Sequence, residues 1–436
     1  MTKENFRTAY AWYVVGLLTA GYAVAVLDRI VIGLLLEPIK AQFQLSDFQL
    51  ALVSGGAFGV CYSVMAVPFG WLVDRYDRRL IAVIGIAGWS LATAANGLAQ
   101  SFLGLFGART AVGIGEASLS PAAASLIGDL FPGPQRAKAY GVFVSGASVG
   151  TGVAFFAGGL AVAMAEPVRN QFASLLGGFQ SWQIAFMLTS IPGLVLALLF
   201  ALTVREPPRR ARAVDAAPVP PLWPYMRRNW KAAATIIFGV ACNLMTIYTL
   251  IFFYSSMMVR VHHWAPQDVG FWVGIVGAPI GGVGAIFTGW FITYVAKRGR
   301  PDAPLITAVI GTVYYGTWCV LAALAPTGTW SIVCFIASAI MANTCVASAF
   351  AGLAQIAPNE LRGRLIAFYT LVGGLVGLFI GPTVLGLISD LVFGAARLDL
   401  SLATAFGLNT LIGVTILLVG RKRYIAAVIE ARANGV

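Results

Sequence analysis

The stretch YAWYVVGLLTAGYAVAVLDRIVIGLLL, Tyr10 to Leu36, decides the fold class. A membrane-spanning helix needs about 20 apolar residues, and this stretch is longer than that. It nevertheless carries Asp28 and Arg29 side by side. A charge near the bilayer centre costs roughly 3 kcal/mol on insertion scales, so it persists mainly where it faces a polar cavity or a partner. The fourth apolar stretch repeats the exception with Arg109 and Glu116. Two acids and two bases in lipid-buried helices point to a transport pathway.

Apolar residues make up 59% of the 436, charged residues only 11%, and the mean hydropathy is +0.83. A soluble domain cannot hide that much apolar surface, so the chain is read as an all-α, polytopic membrane protein. Twelve candidate spans can be placed, the first centred near Thr19 and the last near Ile412. Alternation of period two is missing, which excludes an outer-membrane barrel. The first span outruns a signal-peptide core and is followed by no small-residue cleavage site, so it is expected to be retained.

The net charge of +12 is a topology signal and not a nucleic-acid footprint. With the N-terminus placed in the cytoplasm, 23 Lys and Arg residues fall on that side and 4 on the other, leaving Arg29 and Arg109 in the membrane. An asymmetry of that sign puts both termini in the cytoplasm. The compact loops suit a bacterial inner membrane. Cys61, Cys242, Cys319, Cys334 and Cys345 all lie within apolar spans, as packing residues. The two histidines, His262 and His263, are too few for a zinc site, which needs three or four ligands.

The longest break between spans, Arg205 to Trp230, holds six prolines and a cluster of arginines. It reads as an extended cytoplasmic linker, dividing the chain into bundles 1–204 and 231–436 of six helices each. Short motifs recur across the division. Pro132, Arg136 and Lys138 are matched by Pro358, Arg362 and Arg364, each offset by 226 residues. Gly70-Trp-Leu-Val-Asp74-Arg75, followed by Arg78 and Arg79, is matched by Gly289-Trp-Phe-Ile-Thr293 with Lys297, Arg298 and Arg300. Duplicated halves are a transporter architecture, with substrate bound where the repeats meet near the midplane. Gly146 and Gly150, and Gly377 and Gly381, are small-xxx-small pairs expected to let helix backbones approach closely.

The run Gly70 to Arg79 resembles the signature between the second and third helices of the major facilitator superfamily. In that family the aspartate and arginines form a cytoplasmic latch that holds the outward-open state. The resemblance assigns this role to Asp74, Arg75 and Arg79. Asp77 stands where the family usually has glycine, and Thr293 replaces the aspartate in the second copy, which implies a weaker latch there. Arg109-Thr-Ala-Val-Gly113-Ile-Gly115 resembles the fourth-helix motif. The longer run RTAVGIGEASLSPAAASLIGDLFP, Arg109 to Pro132, together with Leu-Asp28-Arg29, is similar to the spinster group. That group is associated with proton-linked movement of lysophospholipids and sphingosine phosphate. Organic anion–cation symporters also carry a first-helix Asp-Arg pair and a glutamate after the fourth-helix arginine, and are the alternative.

Residues seven apart on a helix lie on nearly one face, about 10 Å apart along the axis. Arg109 and Glu116 therefore point the same way at different depths, and Gly113 and Gly115 are expected to clear room between them for a side chain or a substrate headgroup. Asp28 and Arg29 diverge by about 100°, so one of them reaches the fourth span. Arg29 meeting Glu116 and Asp28 meeting Arg109 are both open. All four ionised sum to zero, and protonating Asp28 or Glu116 leaves +1. A positive site favours an anionic headgroup, and the arginine fork suits phosphate. Asp28 and Glu116 are thus candidates for proton coupling, and Arg29 and Arg109 for substrate binding. Asn243, Tyr248 and Tyr369 join them from the second half, whose mostly apolar wall suits an amphipathic anion.

A membrane-embedded enzyme would need a nucleophile–base pair or a metal cluster in the spans, and neither pattern occurs. Duplicated halves with latch loops argue against a pore. The expectation is a proton-driven transporter of an anionic lipid or a small organic anion, working in the bilayer as a monomer without a cofactor or nucleic-acid partner.

Overall fold

The computed structural model describes residues 3–131, 133–209 and 222–433. Among them every regular element is helical. We label the spans α1 (Lys3–Phe43), α2 (Asp47–Arg75), α3 (Arg78–Asn96), α4 in two pieces (Phe102–Glu116 and Leu119–Leu130), α5 (Gly133–Gln171) and α6 (Ser181–Thr203). The second half holds α7 (Leu222–His262), α8 (Pro266–Lys297), α9 (Ala303–Ala323), α10 in two pieces (Gly328–Ala339 and Thr344–Ile356), α11 (Leu361–Phe393) and α12 (Leu398–Ala433). Among the described residues, 10 helical stretches are long and apolar enough to cross a membrane. The remaining two expected spans are α4, in pieces of 15 and 12 residues, and α8, one helix of 32.

The chain forms two compact units. One gathers α1 to α6 with His263–Ala278; the other gathers α7, the rest of α8 and α9 to α12. This division differs from a cut at the linker, because Gly270 and Gly274 of α8 lie against the α5 backbone at Phe155 and Phe156. The linker differs as well: α7 begins at Leu222, ahead of the expected boundary at 231. Pro224 sits in its first turn, where a missing N–H costs no helical hydrogen bond. The middle of the linker, 210–221, and the motif residue Pro132 lie outside the described residues.

Within the first unit, α1 packs along α5 and α6, and α4 packs on α2 and α3. Within the second, α7 packs along α11 and α12. Both glycine pairs do what their spacing implies. A Cβ on Gly146 would stand 2.7 Å from the Thr19 carbonyl oxygen, and one on Gly150 2.9 Å from the Ala23 Cα. Gly377 and Gly381 meet α7 at Leu244 and Met245 just as closely, each at 2.9 Å.

Two features escaped the sequence reading. α4 breaks at Ala117–Ser118, directly after Glu116. Pro121 accounts for it, since its ring crowds the carbonyl of the residue four earlier and it has no N–H to offer. α10 breaks at the corresponding place, Ile340–Asn343, without a proline. α2 contains one wide π-helical turn, Leu52–Gly56. Such turns release a carbonyl from the regular ladder and often mark functional sites.

The crossing of α2 and α4 is backbone against backbone: a Cβ on Gly113 would stand 2.5 Å from the Phe58 carbonyl oxygen. Gly113→Val is expected to cost about 1–3 kcal/mol by overpacking. Thermal unfolding of the purified protein should drop by several degrees. Gly107→Ala, where nothing lies within 4 Å, should melt at or above the wild type. Equal melting of Gly113→Val and wild type would show that α2 moves aside freely.

Candidate functional site

The four membrane charges of the first unit converge. Arg29 reaches from α1 to α4, its Nε donating to Glu116 Oε2 at 2.7 Å and its Nη2 lying 2.6 Å from the same oxygen. Of the two pairings left open by the sequence, this is the one that forms. Arg109 does not pair with the Asp28 carboxylate. Its guanidinium donates to backbone carbonyls, Asp28 O at 3.2 Å and Ser54 O at 3.4 Å. Ser54 lies in the π-helical turn of α2, which aims a carbonyl sideways at a neighbouring helix.

Phe58 lies under both arginines, with guanidinium carbons 4.9 Å (Arg29) and 5.4 Å (Arg109) from its ring centre. Tyr62, one turn on, flanks Arg29 at 4.6 Å. These are cation–π distances, worth up to about 2 kcal/mol each when desolvated. Asp28 has Thr93 of α3 beside it, yet among the described residues neither its carboxylate oxygens nor the Thr93 hydroxyl meets a partner at full hydrogen-bond geometry. Glu116 Oε1 is likewise unmatched. Buried polar atoms are normally satisfied, so three orphaned carboxylate oxygens in one cluster ask for a function.

Exposure orders the cluster. Asp28, Arg109 and Glu116 are 1%, 0% and 2% exposed, whereas the Arg29 side chain retains 11%. Arg29 is the member that meets the outside, and the acids lie behind it. The room expected at Gly113 and Gly115 is not open to a ligand. It is filled by the α2 backbone at Phe58 and by the α3 backbone at Trp89, 2.8 Å from where a Gly115 Cβ would be. These glycines serve helix crossing, which in turn presses Phe58 against the arginines.

In the second unit, Asn243 and Tyr248 lie on α7 and Tyr369 on α11. Asn243 and Tyr369 are buried; the Asn243 amide lies beside the Cys345 thiol, and the Tyr369 hydroxyl meets no hydrogen-bond partner among the described residues. Tyr369 meets Phe350 edge-on at 5.7 Å, and half-buried Tyr248 stacks on Phe252 at 6.5 Å. The second unit thus offers uncharged polar groups between aromatic rings.

At the α2–α3 loop, Asp74 is exposed and makes no ion pair among the described residues. Arg75, also exposed, lies over the Trp71 ring at 4.2 Å. Arg79 donates its backbone N–H to Glu206 Oε2 at 3.1 Å and its guanidinium to the Ala201 carbonyl. The residue at the centre is one the sequence reading did not select. Arg78, 1% exposed, pairs with Asp129 of α4 and, at 2.6 Å, with Glu206 beyond α6. Arg209 closes the end of α2, donating to the carbonyls of Val73, Asp74 and Tyr76. Asp77, in the position usually held by glycine, caps α3 by accepting from the Leu80 N–H at 2.9 Å.

The second unit has a clasp of opposite sign. Asp302, ahead of α9 and 2% exposed, is held by Arg421 of α12 at 2.6 Å and by Arg300 at 3.3 Å. Burial alone would push its carboxyl up, but the hydrogen bonds from Arg421 and Arg300 outweigh it and hold the group below its usual 3.8.

Helical architecture, duplicated halves and a charged cluster inside the span region together define a membrane transporter. The chain matches the Major Facilitator Superfamily over residues 18–382 and belongs to it. It is 35% identical to human protein spinster homolog 1 over 199 residues, which are 45% of this chain and 35% of the human protein. It is 23% identical over 397 residues to the D-galactonate transporter of Escherichia coli O6:H1, covering 83% of this chain and 85% of that one. Among solved structures it is similar to a bacterial homologue of the human lysosomal transporter spinster in its inward-facing, unoccupied conformation. That likeness has a TM-score of 0.79 and 25% identity, and covers 96% of this chain and 97% of the other.

Two outcomes follow for the clasps. Arg78→Ala leaves two acids partly buried without their cation, and should cost about 2–5 kcal/mol. Arg75→Ala should change stability by less than about 0.5 kcal/mol, a contrast that parallel thermal unfolding resolves. Asp302 has a depressed folded-state value, so its stabilisation is fully present above 3.8 and is lost as pH falls through that lower value. Asp302→Asn should remove this acid-side slope in unfolding scans without adding one near neutrality.

Proposed function

We propose that the chain is a proton-coupled secondary transporter of an anionic amphipath, such as a lysophospholipid or sphingosine phosphate, working by alternating access. The observation that carries this reading is the Arg29–Glu116 pair, with a partly accessible arginine in front of a buried acid. Protonating Glu116 removes the negative charge that Arg29 faces across this pair. An anionic headgroup then takes the place of the carboxylate, in the planar geometry that arginine offers phosphate. Loss of the proton restores the internal pair and expels the anion. Proton and cargo are thereby loaded together.

Asp28 would act as the second proton carrier, close to the fixed positive charge of Arg109. Arg109 itself would position the cluster in this state, because it is fully buried and two of its nitrogens donate to main-chain carbonyls. Both acids are buried, so proton exchange requires that the packing around them part. A transport cycle supplies such a movement. Asn243, Tyr248 and Tyr369 would contact the less polar portion of the cargo, and Asp74, Arg75 and Arg79 would contribute to the latch. A proton gradient would supply the energy without a cofactor, and the setting would be a bacterial inner membrane with both termini cytoplasmic and the chain acting as a monomer.

The second reading, a symporter of a small organic anion such as a sugar acid, is favoured by the similarity to the D-galactonate transporter over most of both chains. The two readings share the arginine–acid switch and differ in what surrounds the charge. Thermal shift separates them: stabilisation by lysophospholipid and not by galactonate supports the first, and the reverse supports the second.

In liposomes with an imposed pH gradient, Glu116→Gln and Asp28→Asn are each expected to lower gradient-driven uptake at least about tenfold, a barrier change near 1.4 kcal/mol or more. Exchange without a gradient should survive in Glu116→Gln, which mimics the protonated state. Wild-type gradient-driven uptake in both variants would remove the coupling role.

A further inference from the structure

The second unit carries a groove unrelated to the charge cluster. It holds about 500 Å³ between the first turns of α7 and the α11 residue Phe368. Trp223, Arg227, Trp230, Ala234 and Phe238 follow one another at spacings of four, three, four and four, so they form one stripe along α7. Trp223, Trp230 and Phe238 are 70%, 55% and 48% exposed, although they line a concave surface.

The stripe changes chemistry along its length. Its lower end is cationic at Arg227, which lines the groove and makes no ion pair among the described residues; Lys231, outside the lining but next to Trp230 in the chain, has its ammonium 5.7 Å from the Trp230 ring centre. Arg228 is already committed to Glu430. Its upper end, at Ala234, Ile237, Phe238 and Phe368, is entirely apolar. Tryptophans flanking an arginine at the start of an apolar span mark headgroup depth, with hydrocarbon beyond. A water-soluble anion would leave the apolar wall uncovered, and a zwitterionic headgroup would bring an ammonium against Arg227. A phosphate diester of net negative charge, with its acyl chain continuing past Phe238, satisfies both ends.

We propose that this groove is a seat for one anionic glycerophospholipid of the surrounding bilayer. Its phosphate lies against Arg227 and Lys231, its glycerol backbone between the two indoles, and a chain along Phe238 and Phe368. The seat is a bound-lipid site on the surface of the second unit.

The test uses the purified full-length protein, delipidated in detergent and offered phosphatidylglycerol or phosphatidylcholine of identical chains. Native mass spectrometry should find one phosphatidylglycerol retained, with at least about fivefold preference over phosphatidylcholine. The double variant Arg227→Gln/Lys231→Gln should lose that preference, while Arg397→Gln, at a distant surface position, should keep it. A second measurement does not depend on removing charge. Phosphatidylglycerol with brominated chains should quench wild-type tryptophan fluorescence more than brominated phosphatidylcholine, and Trp223→Phe/Trp230→Phe should abolish the excess. Equal retention of the two lipids by wild type, an unchanged preference in the charge variant, or an excess quenching that survives loss of both indoles each overturns the seat.

Discussion

Everything in the first unit is arranged around the cost of keeping ionisable groups out of water. Isolated charges in a low-dielectric interior are expensive by several kcal/mol even after relaxation, and attraction repays that only with good geometry. The cluster meets the requirement unequally. Arg29 and Glu116 repay each other at 2.6 Å. Arg109 is repaid by carbonyl dipoles, one of them supplied by the wide turn of α2, and by the face of Phe58. Among the described residues, the Asp28 carboxylate meets no hydrogen-bond donor at full geometry.

The division of labour between the arginines follows from this. Arg109, fully buried and held by two main-chain oxygens, is a fixed positive charge whose removal would unpack α1, α2 and α4 together. Arg29 meets a Glu116 carboxylate oxygen and two ring faces, and its side chain retains 11% exposure.

Much of this was legible in the residues alone. Long apolar runs force helices because unpaired backbone groups are intolerable in hydrocarbon, so span positions followed directly. The 226-residue offset exposed the duplication, and small-xxx-small spacing located the tight contacts of α1 with α5 and α7 with α11. The convergence of Asp28, Arg29, Arg109 and Glu116 was legible too, since buried charges must find company, but its pairing was not. Which arginine reaches which acid depends on helix rotation and on the extra residue in the α2 turn, neither of which leaves a periodic trace. Gly113 and Gly115 were misread for a related reason. A glycine beside a charge permits either a ligand or a neighbouring backbone to approach, and only the position of Phe58 and Trp89 decides between them.

The same ambiguity explains why the ends of the helices were the hardest part to read. Arg78 opens α3 and Asp302 immediately precedes α9, one helix position apart in the two halves; both are buried, but their signs are opposite. The first unit surrounds a base with Asp129 and Glu206, and the second surrounds an acid with Arg300 and Arg421. A duplicated fold needs a neutralised charge at each of these corners to tie its third helix to its neighbours, and either sign meets that need provided the partners change with it. The exposed residues of the loop motif, Asp74 and Arg75, are under no such obligation in this state. Their conspicuous spacing drew attention to the surface of the corner, while the buried neighbour one turn on carries its electrostatics.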